Sequence, residues 1–258
     1  MEARRAGIRS DQLKIFAMIF MLADHIGAAW IEMVFMRNTQ GLALNFFIQL
    51  DGFFRAAGRL AFPIFAYQLV VGFKMTRNKM KAFRSILIFA IASEIPFQLC
   101  FYNKLIDFKH QSVMLTLALG FAMMHMFELV GEHRLKAYLQ GMILVIFSVA
   151  AYMLHTDYDA SGIILIAAIY FFYADRREVC IVSPIIFLMA AFVIYIIKGG
   201  QVDKAIQYVS IESYSLISFI LIYYDNGIRK GGKILKWIGY LFYPLHMLLL
   251  YLVRIVVL

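Results

Sequence analysis

From Leu13 to Val257 the sequence is a succession of nine apolar runs, each too long for a typical strand and divided from the next by a short polar loop. This pattern decides the solvent before it decides the fold. In hydrocarbon every backbone N–H and C=O must be satisfied within the protein, which leaves helices or a closed barrel, and unbroken runs lack the alternation of barrel strands. Only 16% of the residues are charged, against about a quarter in an average soluble chain. The expectation is an all-α polytopic transmembrane bundle of about nine helices, in one integral membrane domain over residues 1–258. The spans are predicted at Leu13–Met33, about Phe53–Phe73, Arg84–Tyr102, Val113–Leu129, Ala137–Leu154, Gly162–Ala174, Cys180–Ile197, Ile206–Tyr224 and Ile234–Val257. Several, the sixth above all, fall short of the roughly 20 residues that a perpendicular crossing needs. The less apolar stretch 38–52 is expected as a short amphipathic helix on the outer surface.

The net charge of +9 would suggest a nucleic-acid partner in a soluble protein, but here the cations sit between apolar runs, as topology signals do. No nucleic acid is expected; the partners to expect from this pattern are membrane lipids. Loops two spans apart lie on the same side. The N-terminal segment with Lys14, the loop from Lys74 to Arg84, the loops at Arg134 and Arg176, and the segment from Arg229 to Lys236 together hold 17 of the 25 Lys and Arg. By the positive-inside rule the N-terminus is cytoplasmic and the C-terminus external.

Five ionisable groups lie where lipid should be. At a rise of about 1.5 Å per residue, His25 is about 16 Å beyond Lys14, Glu94 about 15 Å beyond Arg84 and His246 about 15 Å beyond Lys236. In a core about 30 Å thick, all three reach the midplane. Asp24 shares the depth of His25, and Arg59 lies in the outer half of the second span. A charge at the bilayer centre costs at least about 2.5 kcal/mol, so such groups face the bundle interior and pair with one another or line a polar cavity. On the first helix Asp24 is rotated about 100° from His25, so the two address different neighbours. The same groups would also serve as plain interhelical ties.

Acyl transfer needs a base for the nucleophile's proton and a cation or donor for the oxyanion. Histidine suits the first role and Arg59 the second. A proton-coupled small-molecule transporter uses the same residue types, so the chemistry stays open at this point. The G-x-S-x-G, H-E-x-x-H, Walker and C-x-x-C patterns are all missing from the sequence. His110, His125, His133 and His155 are too scattered to form a metal-spacing motif, and no metal is expected.

Six blocks carry a resemblance: LKIFAMIFMLADHIGA (Leu13 to Ala28), GRLAFPIFAYQLVVGFKMTRN (Gly58 to Asn78), IFAIASEIPFQL (Ile88 to Leu99), SVMLTLALG (Ser112 to Gly120), TDYDASGIILI (Thr156 to Ile166) and IGYLFYPLHMLLL (Ile238 to Leu250). In this order they resemble the TraX family, related to the conjugation protein associated with N-terminal acetylation of F-pilin. Ser112 departs from the pattern, which leads one to expect Asn there. The resemblance implies a multi-pass protein of the bacterial cytoplasmic membrane that moves an acetyl group from acetyl-CoA to an amine or hydroxyl of a pilin-like peptide or cell-surface glycan. The competing classes are the transporter and a non-enzymatic membrane assembly factor. On the acetyltransferase reading, His25 is the favoured base and His246 the second. Asp24 or Glu94 orients the imidazole, Arg59 stabilises the oxyanion and Tyr243 donates a hydrogen bond. Lys74, Arg77, Lys79 and Arg84 are expected to hold the phosphates of CoA, while Asp157, Tyr158 and Asp159 meet a basic acceptor at the outer mouth.

Overall fold

The computed structural model describes residues 7–132 and 134–257, the side chain of Lys233 excepted; Arg4, Arg5 and His133 of the sequence reading lie outside these. Among the described residues every extended element is a helix. In chain order they are α1 (Ser10–Asn38), α2 (Leu42–Met75), α3 (Lys79–Tyr102), α4 (Val113–Leu129), α5 (Lys136–Met153), α6 (Asp159–Phe172), α7 (Arg176–Ile197), α8 (Val202–Tyr223) and α9 (Gly232–Val257). Seven of them are long and apolar enough to cross a membrane, and α4 and α6 are the shorter apolar helices. The chain is therefore a membrane protein. Its contacts divide it into two compact units, the first made of the chain up to Phe65, Ile95–Leu105 and the chain from Ile211, the second of Ala66–Glu94 and Ile106–Ser210.

In the first unit, α1 packs on the first half of α2 and on α9. The register of α1 against α9 is set at their starts. Ile8 N donates to Tyr224 O at 2.8 Å and Asn226 N to Ile8 O at 2.8 Å; Ser10 Oγ donates to Asp225 Oδ1 at 2.7 Å. Asp11 accepts from the backbone N–H of Lys230 and of Gly231, and Lys14 Nζ donates to Leu235 O at 3.2 Å. Two helices tied at their first turns and running the same way carry equal residue counts to equal depth. His25 stands fifteen residues into α1 and His246 fourteen into α9.

The approach of α1 to α2 depends on glycine. A Cβ on Gly58 would collide with the Cβ, Oδ1 and Cγ of Asp24, and one on Gly27 would stand 3.1 Å from Asp51 Oδ1 and 3.1 Å from Phe54 Cβ. Small residues at an interface let backbones close where lipid supplies no hydrophobic drive. Gly58→Ala is expected to lower stability by about 1–3 kcal/mol, the usual cost of overpacking. Gly27→Ala should cost less, and thermal unfolding of the detergent-solubilised variants followed by tryptophan fluorescence checks the order.

Two departures from regular α-helix flank this contact. Residues Gly27–Phe35 of α1 form a π-helix directly after His25, a distortion that recurs at functional sites. In α2 the ladder breaks at Arg59 and Leu60, where Leu60 N donates to Ala57 O at 3.1 Å. Pro63 explains the break, since it has no N–H to give the Arg59 carbonyl. The expected surface helix over 38–52 is corrected here. From Leu42 the chain belongs to a continuous helix that reaches Gly58, because the apolar periodicity of Leu42–Phe54 continues into the span without a breaker.

The second unit is built around α6, which packs on α4, α5 and α7. Ile163, Leu165, Ile166 and Ile169 are fully buried in it, as expected of a helix that is apolar all round. Such a helix need not match the bilayer thickness, because its neighbours cover it. By contrast, Ala151 is the one fully buried residue described in α5, and Met142, Val145, Ile146, Val149 and Met153 are exposed.

Candidate functional site

In the first unit the parallel starts of α1 and α9 bring His25 and His246 together. Nδ1 of His25 lies 2.6 Å from Nε2 of His246, and both residues are buried, at 7% and 6% exposure. The ring planes differ by 5° and the centroids are 4.9 Å apart. That separation exceeds the N···N distance by about two ring radii, so the rings are coplanar and joined edge to edge. Nδ1 of His246 lies 2.6 Å from Phe242 O.

These partners assign the tautomers of a neutral pair. A carbonyl accepts, so His246 Nδ1 carries hydrogen and donates to Phe242 O. Its Nε2 then accepts from His25 Nδ1–H, which leaves His25 Nε2 with a lone pair. Among the described residues His25 Nε2 has no protein hydrogen-bond partner. The result is a two-ring relay ending in one basic nitrogen. Aromatic edges wall it in, with Phe101 5.6 Å from His25 and Tyr243 5.8 Å from His25 and 5.7 Å from His246. The ring of Phe242 covers His246 at 4.7 Å.

Asp24 faces α2, as its rotation from His25 requires, and forms an ion pair with Arg55 at 2.8 Å. One turn on, Arg59 pairs with Glu212 of α8 at 3.0 Å, and Glu212 is only 1% exposed. Arg55 and Arg59 share one face of α2 by their i, i+4 spacing. The four charges act on one another: Asp24 feels Arg59, and Glu212 feels Asp24 and Arg55. Arg55 also acts on His25. Asp24, Arg55, Arg59 and Glu212 thus form a charge network beside the histidine pair, and Asp51 acts on it through Arg55 and Asp24.

In the second unit Glu94 serves the start of α4. Ser112 donates to it from its backbone N–H at 3.0 Å and from its hydroxyl at 2.6 Å. A carboxylate at a helix N-terminus meets both unpaired N–H groups and the positive end of the helix dipole. Serine keeps a side-chain donor at this departure from the expected Asn.

One expectation is corrected by these placements. His246 and the Phe242 carbonyl orient the histidine pair, not Asp24 or Glu94, which are committed to Arg55 and Ser112. The Arg59 guanidinium, cast for the oxyanion, is committed to Glu212. In the basic loop Lys79 pairs with Glu128 and Lys74 lies 3.7 Å over the ring of Tyr170, while Arg77, Lys81 and Arg84 have no carboxylate partner among the described residues. Asp159, beside Asp157 and Tyr158, pairs with Lys198. Among the described residues no three His, Cys, Asp or Glu side chains are grouped to hold a metal ion.

Arg55, Glu212 and the Phe242 carbonyl were missed. For the first two a signal existed: Arg55 precedes Arg59 by one turn, and Glu212 interrupts the eighth apolar run.

A family profile described as TraX protein matches residues 9–254. A protein from Dichelobacter nodosus named "Probable fimbrial assembly protein FimC, serogroup H1" is 24% identical over 273 aligned positions, which cover 96% of this chain and 96% of that protein. No solved structure matches.

Proposed function

Since the chain belongs to the TraX family, we propose that it is a membrane acetyltransferase acting on an amine or hydroxyl of a pilin-like or cell-surface acceptor at the bacterial cytoplasmic membrane. The observation that carries this reading is the His25–His246 relay with its open Nε2. The name of the Dichelobacter nodosus relative supports a fimbrial acceptor.

Acetyl-CoA would supply the thioester whose C–S bond breaks as the acceptor's N or O bonds to the acetyl carbon, with the acceptor's proton ending on the released thiol. His25 Nε2 takes that proton as the acceptor attacks. The charge gained by His25 spreads through Nδ1–H to His246, whose own Nδ1–H stays on the Phe242 carbonyl. In a site of low dielectric such a preset dipole is worth far more than in water. The proton then returns from His25 Nε2 to the departing sulfur, restoring the neutral pair. The aromatic walls of Phe101, Tyr243 and Phe242 keep water from competing as nucleophile. Arg77 and Arg84 are the loop cations suited to the donor's phosphates.

The test is the turnover of radiolabelled acetyl-CoA by detergent-purified protein. Binding with slow hydrolysis is expected in the unmodified protein, and loss of hydrolysis in His25→Ala. Proton-linked flux without either would favour a carrier built on the Asp24–Arg55 and Arg59–Glu212 network. Neither flux nor acetyl-CoA binding, together with loss of fimbriae on deletion, would favour an assembly factor.

A further inference from the structure

At the far ends of α1, α3 and α9, within the first unit, lies a cavity of about 410 Å³, in the range of small-molecule sites. Its lining includes Arg37, Arg254, Tyr102, Asn103, Tyr251 and Phe101, and among the described residues it contains no acid. Two arginines thus line one space whose described wall holds nothing of opposite sign.

Each arginine has donors to spare. Arg254 spends Nη1 on Met33 Sδ at 3.2 Å and Nη2 on Leu99 O at 3.3 Å. Neither partner neutralises its charge, and the guanidinium has five N–H donors in all. Arg37, exposed in the last turn of α1, has no carboxylate partner among the described residues. The planar guanidinium fork matches the oxygens of a phosphate or carboxylate.

The cavity is next to the relay. Phe101 lines it and also lays its ring edge on His25 at 5.6 Å. The α1 residues that line it, Met33, Val34 and Arg37, follow His25 by eight to twelve positions on the same helix. By the charge count of the loops this end of the spans faces outward, opposite the end that holds Lys14 and Lys236. Phe101 is thus shared between the wall of the cavity and the surroundings of His25.

We infer that this cavity holds the anionic group, phosphate or carboxylate, of the acceptor, and so selects acceptors that carry negative charge at a distance from the nucleophile. The inference rests on the acetyltransferase reading and assigns its acceptor side.

The experiment measures binding of radiolabelled glycerol 3-phosphate to the purified full chain in neutral detergent, with glycerol as the uncharged control. Mixed micelles of dioleoyl phosphatidylglycerol, against phosphatidylcholine, form the lipid arm. Saturable binding of glycerol 3-phosphate but not glycerol is expected, with Kd raised at least tenfold in Arg37→Gln and in Arg254→Gln. Arg254 is packed against Met33 and Leu99, so its variant is checked by thermal unfolding. Arg37→Gln, at an exposed helix end, carries the test if Arg254→Gln fails to fold. Binding of phosphatidylglycerol alone would reduce the cavity to a lipid site and overturn the inference, as would a Kd indifferent to both substitutions. Acetyl-CoA turnover by the unmodified protein is scored separately, so failure of the transferase reading is distinguishable from failure to bind the anion.

Discussion

His25→Ala is expected to lower acetyl transfer by about 10²–10⁴-fold, the usual contribution of a positioned general base, with little change in donor affinity. His246 should matter for a different reason. In the proposed mechanism it accepts from His25 Nδ1–H and takes up charge as His25 is protonated. His246→Ala removes both services and leaves a buried N–H unpaired, at a cost of about 1–3 kcal/mol. His246→Gln separates them. The amide oxygen accepts from His25 Nδ1–H and keeps the ring oriented, but it has no second nitrogen on which a proton can rest. If charge dispersal through the pair matters, His246→Gln stays close to His246→Ala in rate while recovering its thermal stability. If orientation is all His246 supplies, the glutamine variant regains most of the activity. Single-turnover transfer of labelled acetyl, read beside thermal unfolding, decides between the two. A His25→Ala protein that folds normally and retains full turnover would remove the relay from the mechanism.

The depth of the two histidines was legible because each follows a lysine on its own helix by about the same distance, Lys14 before His25 and Lys236 before His246. A constant rise per residue converts that spacing into a common plane. Their pairing was not legible. It depends on the loop from Asp225 to Gly231 clasping the first turn of α1, and such a tie between residues over two hundred positions apart leaves no local pattern. The nine helices were legible from the runs themselves, and the bend in α2 had its signal in Pro63. The π-helical turn after His25 had none, because Gly27–Phe35 reads as ordinary apolar helix.

Partner choice among the charges was the least legible feature. Depth counting placed Asp24, Arg59 and Glu94 near one layer, and opposite charges at one depth invite pairing. Which helix lies beside which is settled by side-chain volume instead. Gly58 admits Asp24 to the face of α2 that carries Arg55, and Arg59 is left to turn toward α8. Glu94 meets the buried start of α4, whose unpaired N–H groups form an anion site that a count of charged residues does not register.

That distinction gives the Arg59–Glu212 pair the second large expected effect. Glu212→Leu strands a guanidinium with its carboxylate gone, and breaking a buried pair from one side costs about 3–5 kcal/mol. Arg59→Met strands Glu212, which is 1% exposed, at a similar cost. The double variant Arg59→Met, Glu212→Leu should recover most of the loss, since replacing both members with apolar groups of like volume is often neutral. Asp24 and Arg55 remain a balanced pair beside it. Unfolding in mixed micelles of the four proteins gives the coupling, and near-additive losses would show that the two side chains do not depend on each other. The same double variant separates the functional readings. A carrier that moves protons through Glu212 loses its flux without the carboxylate, however well it folds. An acetyltransferase whose chemistry resides in His25 and His246 keeps its turnover once the helices are held together again.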